Sequence, residues 1–156
     1  MRPPLPKITL LSFLSTILVA CGGAPPDKLG IQNDQLRPCP PSPNCVSSQA
    51  PDAGQRIDPL VFRDDRPERA FARLKQILER RNDTTIKEEK PGYLRVELRT
   101  ALFVDDGEFL LDEERRLIHV RSASRLGYWD LGKNRRRMEA IRREFARAEK
   151  SPEGTF

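Results

Sequence analysis

Residues 116–148, RLIHVRSASRLGYWDLGKNRRRMEAIRREFARA, contain the clearest structural pattern of the chain. Ile118 and Val120 alternate with polar neighbours, which is typical of a strand that buries one face. The polar run of residues 121–125 breaks this alternation, and apolar residues return at helical spacing from Met138 onward. The stretch therefore predicts a strand, a polar turn and an amphipathic helix, with polar side chains crowded at the joint between them.

A second helix is predicted upstream. Its apolar residues share one face of a helix: Ala70, Phe71, Leu74, Ile77 and Leu78. Asp65 and Glu68 have the spacing of a capping box, and Pro67 suits the first turn. Residues 82–83 end the helical pattern. We therefore expect a helix that begins just after Asp65.

Four strands are predicted between and after these positions, at residues 84–88, 93–100, 108–112 and 116–122. Residues 102–104 extend the second strand in this prediction, and residues 104–107 form a turn because adjacent carboxylates before a glycine favour one. A short apolar segment at residues 57–62 adds an edge strand. Short connections favour an antiparallel meander. The predicted fold class is α+β in two layers, an antiparallel sheet of four to five strands with two main helices packed on one face.

Composition limits the chain to one small domain with tails. The 156 residues are 33% charged and 37% hydrophobic. The net charge is +5, and without Arg2 and Lys7 it falls to +3, from 26 basic and 23 acidic residues. This excess is too small to indicate nucleic-acid binding, and no nucleic-acid partner is predicted.

The N-terminus carries a targeting signal. Arg2 and Lys7 precede an apolar run at residues 8–20, which is too short to span about 30 Å of hydrocarbon. The ending Leu-Val-Ala-Cys at residues 18–21 resembles the lipobox of bacterial lipoproteins, in which Cys21 is lipidated. The resemblance implies a membrane-anchored lipoprotein facing the periplasm, and Gly22 favours the outer membrane. The alternative is an ordinary secretory signal with an incidental cysteine.

The predicted domain organisation follows. Residues 1–20 are a signal peptide, residues 21–51 a lipidated tether, residues 52–150 one α+β domain and residues 151–156 a tail. The tether contains seven of the 14 prolines between residues 22 and 51, which favours an extended chain.

Two cysteines remain once Cys21 is lipidated. Export places them in an oxidising compartment, so Cys39 and Cys45 are predicted to form a disulfide. A competing interpretation makes Cys45 a nucleophile with His119, the single histidine, as its base. No zinc motif has this spacing, so no metal site is predicted.

The polar joint has two interpretations. Asn134 shares the helix stripe of Met138, so its amide is predicted to face the sheet and to find partners near residues 122–125 and Asp130. In this interpretation the joint is a clasp that fixes the helix to the sheet. In the other it binds an anion or a partner. The candidate binding residues are Arg121, Ser122, Ser124, Arg125, Asp130, Asn134 and Arg135.

Several motifs occur in the order found in one bacterial family. They are residues 39–48, residues 103–106 with 108–109, residues 120–125 with Gly127, and residues 130–135. Together they resemble the domain of unknown function 1499 family over about residues 38–143. The resemblance implies a small exported protein or lipoprotein with no assigned activity. It also implies one connected polar region that joins Ser42, Asn44 and Cys45 to residues 121–134.

Two functions remain open. The first is a non-catalytic cell-envelope lipoprotein that binds an envelope protein or an anionic small molecule through the basic joint. The second is a hydrolase-like enzyme that uses Asp105, Asp106 or Ser124 in a cleft. The sequence favours the first, because it shows no nucleophile elbow, metal motif or phosphate-binding loop, and no cofactor is predicted.

Overall fold

The computed structural model describes residues 29–64 and 66–150. Several predictions fall on residues outside the described ones: the signal peptide, lipidation at Cys21, the helix cap at Asp65 and the tail at residues 151–156. In the described part of the chain, neither helix is long and apolar enough to cross a membrane.

The described chain forms eight strands and two helices. The strands are β1 (Ile31–Gln32), β2 (Gln35–Leu36), β3 (Cys45–Ser47), β4 (Leu60–Val61), β5 (Thr84–Lys90), β6 (Tyr93–Arg99), β7 (Val104–Asp112) and β8 (Leu117–Ser124). The helices are α1 (Pro67–Glu79) and α2 (Lys133–Lys150). The fold is α+β with an antiparallel sheet, as the sequence predicts.

The main sheet has six strands rather than the four to five predicted. Its order is β3-β8-β7-β6-β5, and β4 pairs with the part of β8 that β3 leaves free. A separate two-stranded sheet joins β1 to β2. The prediction missed β3 because three residues in a proline-rich segment are too few to show a period. Residues 44–47 are buried in the folded body, although the prediction assigned them to the tether.

The predicted turn at residues 104–107 is wrong, because these residues are the start of β7. Asp105 and Asp106 pair with Ser124 and Ala123 of β8 instead of ending a strand. Gly107 is needed there, since a Cβ would come within 2.9 Å of side chains from β6. Likewise, β8 continues through Ser124, two residues beyond its predicted end. The β6 extension at residues 102–104 is also wrong, because β6 ends at Arg99.

Both helices cover one face of the sheet. That face contributes the alternate apolar residues of β6, β7 and β8, and the helices contribute their apolar stripes. The resulting core includes Leu74, Leu78, Leu94, Val96, Leu98, Phe109, Ile118, Val120, Met138, Ile141 and Phe145. α1 begins at Pro67, and its N-cap residue is Arg66, so the predicted cap at Asp65 is wrong by one residue.

The opposite face of the sheet is charged. Alternation along the strands sends Glu97, Asp106, Glu108, Arg121 and Arg125 to this side. The β1–β2 hairpin lies over part of it, because the Gly30 amide donates a hydrogen bond of 2.6 Å to Glu108 Oε1. The sheet therefore separates an apolar layer under the helices from a layer of charges.

Candidate functional site

The joint between β8 and α2 is centred on Asn134, whose side chain is completely buried. Ser122 Oγ donates to Asn134 Oδ1 at 2.6 Å. Asn134 Nδ2 donates to Ser124 Oγ at 2.9 Å and to the Asn44 carbonyl at 3.1 Å. The amide thus bonds to β8 and to the residue before β3. These are the contacts of a structural clasp, and its partners at residues 122–124 were predicted from the sequence.

Asp130 occupies the N-terminus of α2. Its carboxylate accepts hydrogen bonds from the amides of Gly132 at 2.9 Å and Asn134 at 2.7 Å. A carboxylate here satisfies free amides of the first helical turn and complements the helix dipole. These amides are therefore already bonded within the protein, which disfavours an external anion at this position.

The disulfide loop packs against the same joint. Cys39 and Cys45 are bonded, as predicted, and Cys45 pairs with Ala123 of β8. Asn44 Nδ2 donates to the Gly127 carbonyl at 2.5 Å. Ser42 Oγ donates to Asn44 Oδ1 at 2.6 Å. With its sulfur oxidised, Cys45 is not a nucleophile in this structure, and the loop instead braces the chain between β8 and α2.

The charges of the joint pair with one another on both faces of the sheet. On the helix face, Arg137 Nη1 donates to Asp105 Oδ2 at 2.7 Å. On the charged face, Arg125 forms two hydrogen bonds with Asp106, at 2.7 and 2.8 Å, and one with Glu97 at 2.9 Å. The bidentate contact is the strongest geometry for a guanidinium and a carboxylate.

A second ion pair lies further along the charged face. Arg121 Nη1 donates to Glu108 Oε2 at 2.7 Å, and the Tyr93 hydroxyl donates to the other oxygen at 2.8 Å. Burial raises the pKa of Tyr93, and the adjacent Glu108 carboxylate raises it further. Arg121 Nε is buried without an acceptor among the described residues. The Glu108 carboxylate is therefore fully engaged by protein donors.

The pKa shifts of this network favour the charged forms. The hydrogen bond with Asp106 raises the pKa of Arg125 against the opposing effect of burial, and Glu97 adds to the rise. Burial alone would raise the pKa of Glu97, but hydrogen bonds from Arg125 and Arg99 lower it overall. Both groups hold a fixed charge near neutral pH, so neither is placed to exchange protons with a substrate.

The seven predicted binding residues do not converge on one surface. Alternation along β8 sends Ser122 and Ser124 to the helix face and Arg121 and Arg125 to the charged face. Arg135 donates from its two terminal nitrogens, each at 2.7 Å, to the carbonyls of Arg56 and Gly54. Asp130 and Asn134 belong to the clasp. Apart from the buried Arg121 Nε, the donors described above are used within the protein, which favours the clasp over an anion site.

Sequence reasoning missed part of this network. Glu97, Tyr93 and Arg137 were not candidates, yet each bonds to a predicted residue of the network or to its partner. One signal was present: charges at alternate positions of β6 and β8 indicate a polar face. It could not distinguish a solvated face from one closed by ion pairs.

His119 lies apart from the joint, at the other end of β8. Its Nδ1 is 3.1 Å from Ser48 Oγ, and its Nε2 is 3.6 Å from Asp112 Oδ2. Burial lowers the pKa of His119, although Asp112 opposes the shift. Ser48 Oγ also accepts a hydrogen bond of 2.9 Å from the Val120 amide. Ser48 therefore connects the chain after β3 to β8 through both His119 and Val120. In the described residues, no group of three or more His, Cys, Asp or Glu side chains could hold a metal ion.

The fold and the site define a class: a small two-layer α+β domain whose polar joint is neutralised from within. The family described as "Protein of unknown function (DUF1499)" matches residues 35–145, and the chain belongs to this family. The match begins in β2 and includes the disulfide loop, so it covers the region that folds against β8. No curated protein and no solved structure matches the chain.

Proposed function

We propose that this protein is a lipid-anchored, non-catalytic protein of the cell envelope, and that its polar joint is a structural clasp. The observation that carries the proposal is the internal pairing of Arg125 with Asp106 and Glu97. A ligand site needs donors or acceptors left free for the ligand. Here the guanidinium is aligned with two carboxylates of its own chain, and its side chain is only 5% exposed.

The hydrolase alternative has no comparable support. Asp105 and Asp106 each bond to a guanidinium, and Asp106 is fully buried. Ser124 Oγ accepts a hydrogen bond from Asn134, which places it in the clasp. General acid–base catalysis needs a group that reaches the substrate. Carboxylates that are buried and bonded to arginines of the same chain do not meet that requirement.

Two features support the envelope location. The Leu-Val-Ala-Cys ending at residues 18–21 resembles the lipidation signal of bacterial lipoproteins. The Cys39–Cys45 disulfide is the kind of bond that persists in oxidising compartments. A disulfide in the folded body and a lipidation signal before it are consistent with an exported, membrane-anchored domain.

The lipid anchor is tested by expressing the full chain in a two-membrane bacterium that is fed an alkyne-tagged fatty acid. We expect the label on the mature protein and recovery of the protein in the membrane fraction. The matched control is Cys21→Ser, which should lose the label. Mass spectrometry that finds an unmodified Cys21 in the mature wild-type protein would overturn the anchor.

A further inference from the structure

Large apolar side chains are concentrated at one end of the molecule. In the described part of the chain, six of the eight exposed large hydrophobic residues come from two loops. They are Leu102 and Phe103 between β6 and β7, and Leu126, Tyr128, Trp129 and Leu131 between β8 and α2. We call these six residues the loop-end patch. A concentration of exposed apolar groups usually marks an interaction site.

The two loops form one surface. Phe103 from the first loop and Leu126, Trp129 and Leu131 from the second line a single cavity of about 320 Å³. Trp129 is 66% exposed and Leu131 64%. These side chains therefore leave much apolar area in water, and its removal from water would release free energy.

The fold holds both loops in place. Thr100 and Phe103 bond to each other through the Thr100 amide at 2.9 Å and the Phe103 amide at 3.1 Å. In the second loop, Asn44 holds the Gly127 carbonyl, and the carboxylate of Asp130 holds the start of α2. The clasp thus presents the apolar side chains outward from a fixed base.

From these observations we infer that the loop-end patch docks into the headgroup boundary of the membrane that carries the protein. Tryptophan and tyrosine are enriched at this boundary, because the rings are apolar and carry a polar N–H or O–H. Lys133 lines the cavity, and the exposed Arg136 follows one turn of α2 later. Cations beside an apolar patch suit anionic headgroups.

The geometry of the chain permits this docking, and the step rests on the proposed lipid anchor. The eight Cα steps from Cys21 to Leu29 span at most about 28 Å. The chain enters the folded body at Gly30, which bonds to Glu108. Glu108 lies four residues along β7 from Val104, or roughly 13 Å from the loop end. A membrane anchor therefore reaches the level of the patch.

Trp129 is the only tryptophan in the sequence, so its fluorescence reports on the patch alone. The lipidated full-length protein is reconstituted in vesicles of phosphatidylethanolamine and phosphatidylglycerol, with or without bromine on the upper acyl carbons. We expect a blue shift of Trp129 emission relative to detergent-free, unlipidated protein, and loss of most of the emission in brominated vesicles. Collision with bromine requires the indole to lie at the depth of the acyl chains.

Matched variants locate the contact. Leu126→Ser with Leu131→Ser should abolish most of the quenching while Trp129 remains as the probe. Val61→Ser is the control, because Val61 is 64% exposed but belongs to β4, outside the patch. It should leave the quenching unchanged. Equal quenching in the double variant and the wild type would overturn the docking surface.

Other results separate the two proposals. Trp129 emission that is neither shifted nor quenched on a protein shown to be acylated would overturn the docking and leave the anchor intact. Emission shielded from aqueous acrylamide but not quenched by bromine would identify a protein partner or a second copy, and would also overturn it. If the mature wild-type protein carries no acyl group, the anchor is overturned. Bromine quenching of that protein would still support the docking.

Discussion

The joint and the loop-end patch are neighbours that differ in which side chains they expose. At the joint, groups that usually face water are buried, and Asp106, Glu108, Ser122 and Asn134 have no exposed area. In the patch, groups that usually form the core are exposed, and Tyr128 reaches 73%. The two regions share the segment between β8 and α2. The inversion is local to this end of the molecule.

The difference shows which region is free to interact. The charged groups described at the joint already have partners within the protein: opposite charges for Arg125 and Arg137, backbone amides for Asp130 and backbone carbonyls for Arg135. Contact with a ligand would therefore exchange one bond for another. The apolar side chains of the loop-end patch remain exposed to water in the described structure. Their burial against another surface would still release free energy. We therefore assign the joint to stability and the patch to interaction.

The largest loss of stability at the joint is expected from Arg125→Ala. The substitution removes the cation shared by Asp106 and Glu97, while other arginines remain close to both carboxylates. Breaking a buried ion pair costs about 3–5 kcal/mol, and we expect about 3 kcal/mol here because of these remaining cations. Urea unfolding measures the loss. The control is Arg115→Ala, whose side chain is 74% exposed and forms an ion pair with Asp112. That change should cost about 0–0.5 kcal/mol. Similar losses for the two variants would contradict the structural role of Arg125.

A smaller loss is expected from Asn134→Ala. The variant removes three side-chain hydrogen bonds and leaves Ser122 Oγ buried without its acceptor. We expect a loss of about 2–3 kcal/mol in the free energy of unfolding. Asn82→Ala is the matched control, since Asn82 is exposed in the turn after α1. If both variants unfold at the same urea concentration, Asn134 does not hold the helix to the sheet.

Removal of the disulfide should have a still smaller effect. The bond closes a loop with a sequence separation of only six residues, and prolines already restrict that loop when the protein is unfolded. Cys39→Ala with Cys45→Ala should therefore lower stability by about 1–2 kcal/mol. Thermal unfolding of this variant and of the wild type provides the measurement. A loss of stability larger than that of Asn134→Ala would mean that the disulfide loop stabilises the joint more than the Asn134 amide does.

The smallest expected effect is the contribution of His119 to the pH dependence of stability. Because burial lowers the pKa of His119, the folded protein binds a proton less readily than the unfolded chain. The contribution of the neutral imidazole is complete above the unfolded pKa of about 6.5 and is lost as pH falls through the lower folded value. Stability should therefore decline as the pH falls below about 6.5. His119→Gln should flatten this decline, and an unchanged slope would exclude His119 as its source.

The local patterns of the chain predicted much of the architecture. The two helices and the meander from β5 to β8 followed from apolar periodicity, and the disulfide from the compartment and cysteine count. The burial of Asn134 followed from its position on the stripe of Met138. Each of these conclusions needs only residues near one another in sequence.

The interior of the joint could not be predicted in the same way. Asp105 and Asp106 resemble a turn until Arg137 and Arg125 are placed beside them, and these arginines are 32 and 19 residues away. The position of Ser124 on the helix face depended on β8 continuing through that residue. An apparent polar turn gave no indication that the strand went on. These features depend on contacts between residues far apart in the sequence, which local propensity does not predict.

The central claim is that the charged groups of the joint are satisfied from within. The most direct test is the free energy of unfolding of the wild-type protein as phosphate is raised from zero to tens of millimolar, at constant ionic strength with chloride. We expect no saturable increase, because Arg125, Arg121 Nη1 and the Asn134 amide are already bonded within the protein. A saturable rise, as binding to the folded state produces, would show that the joint is an anion site and would contradict the account.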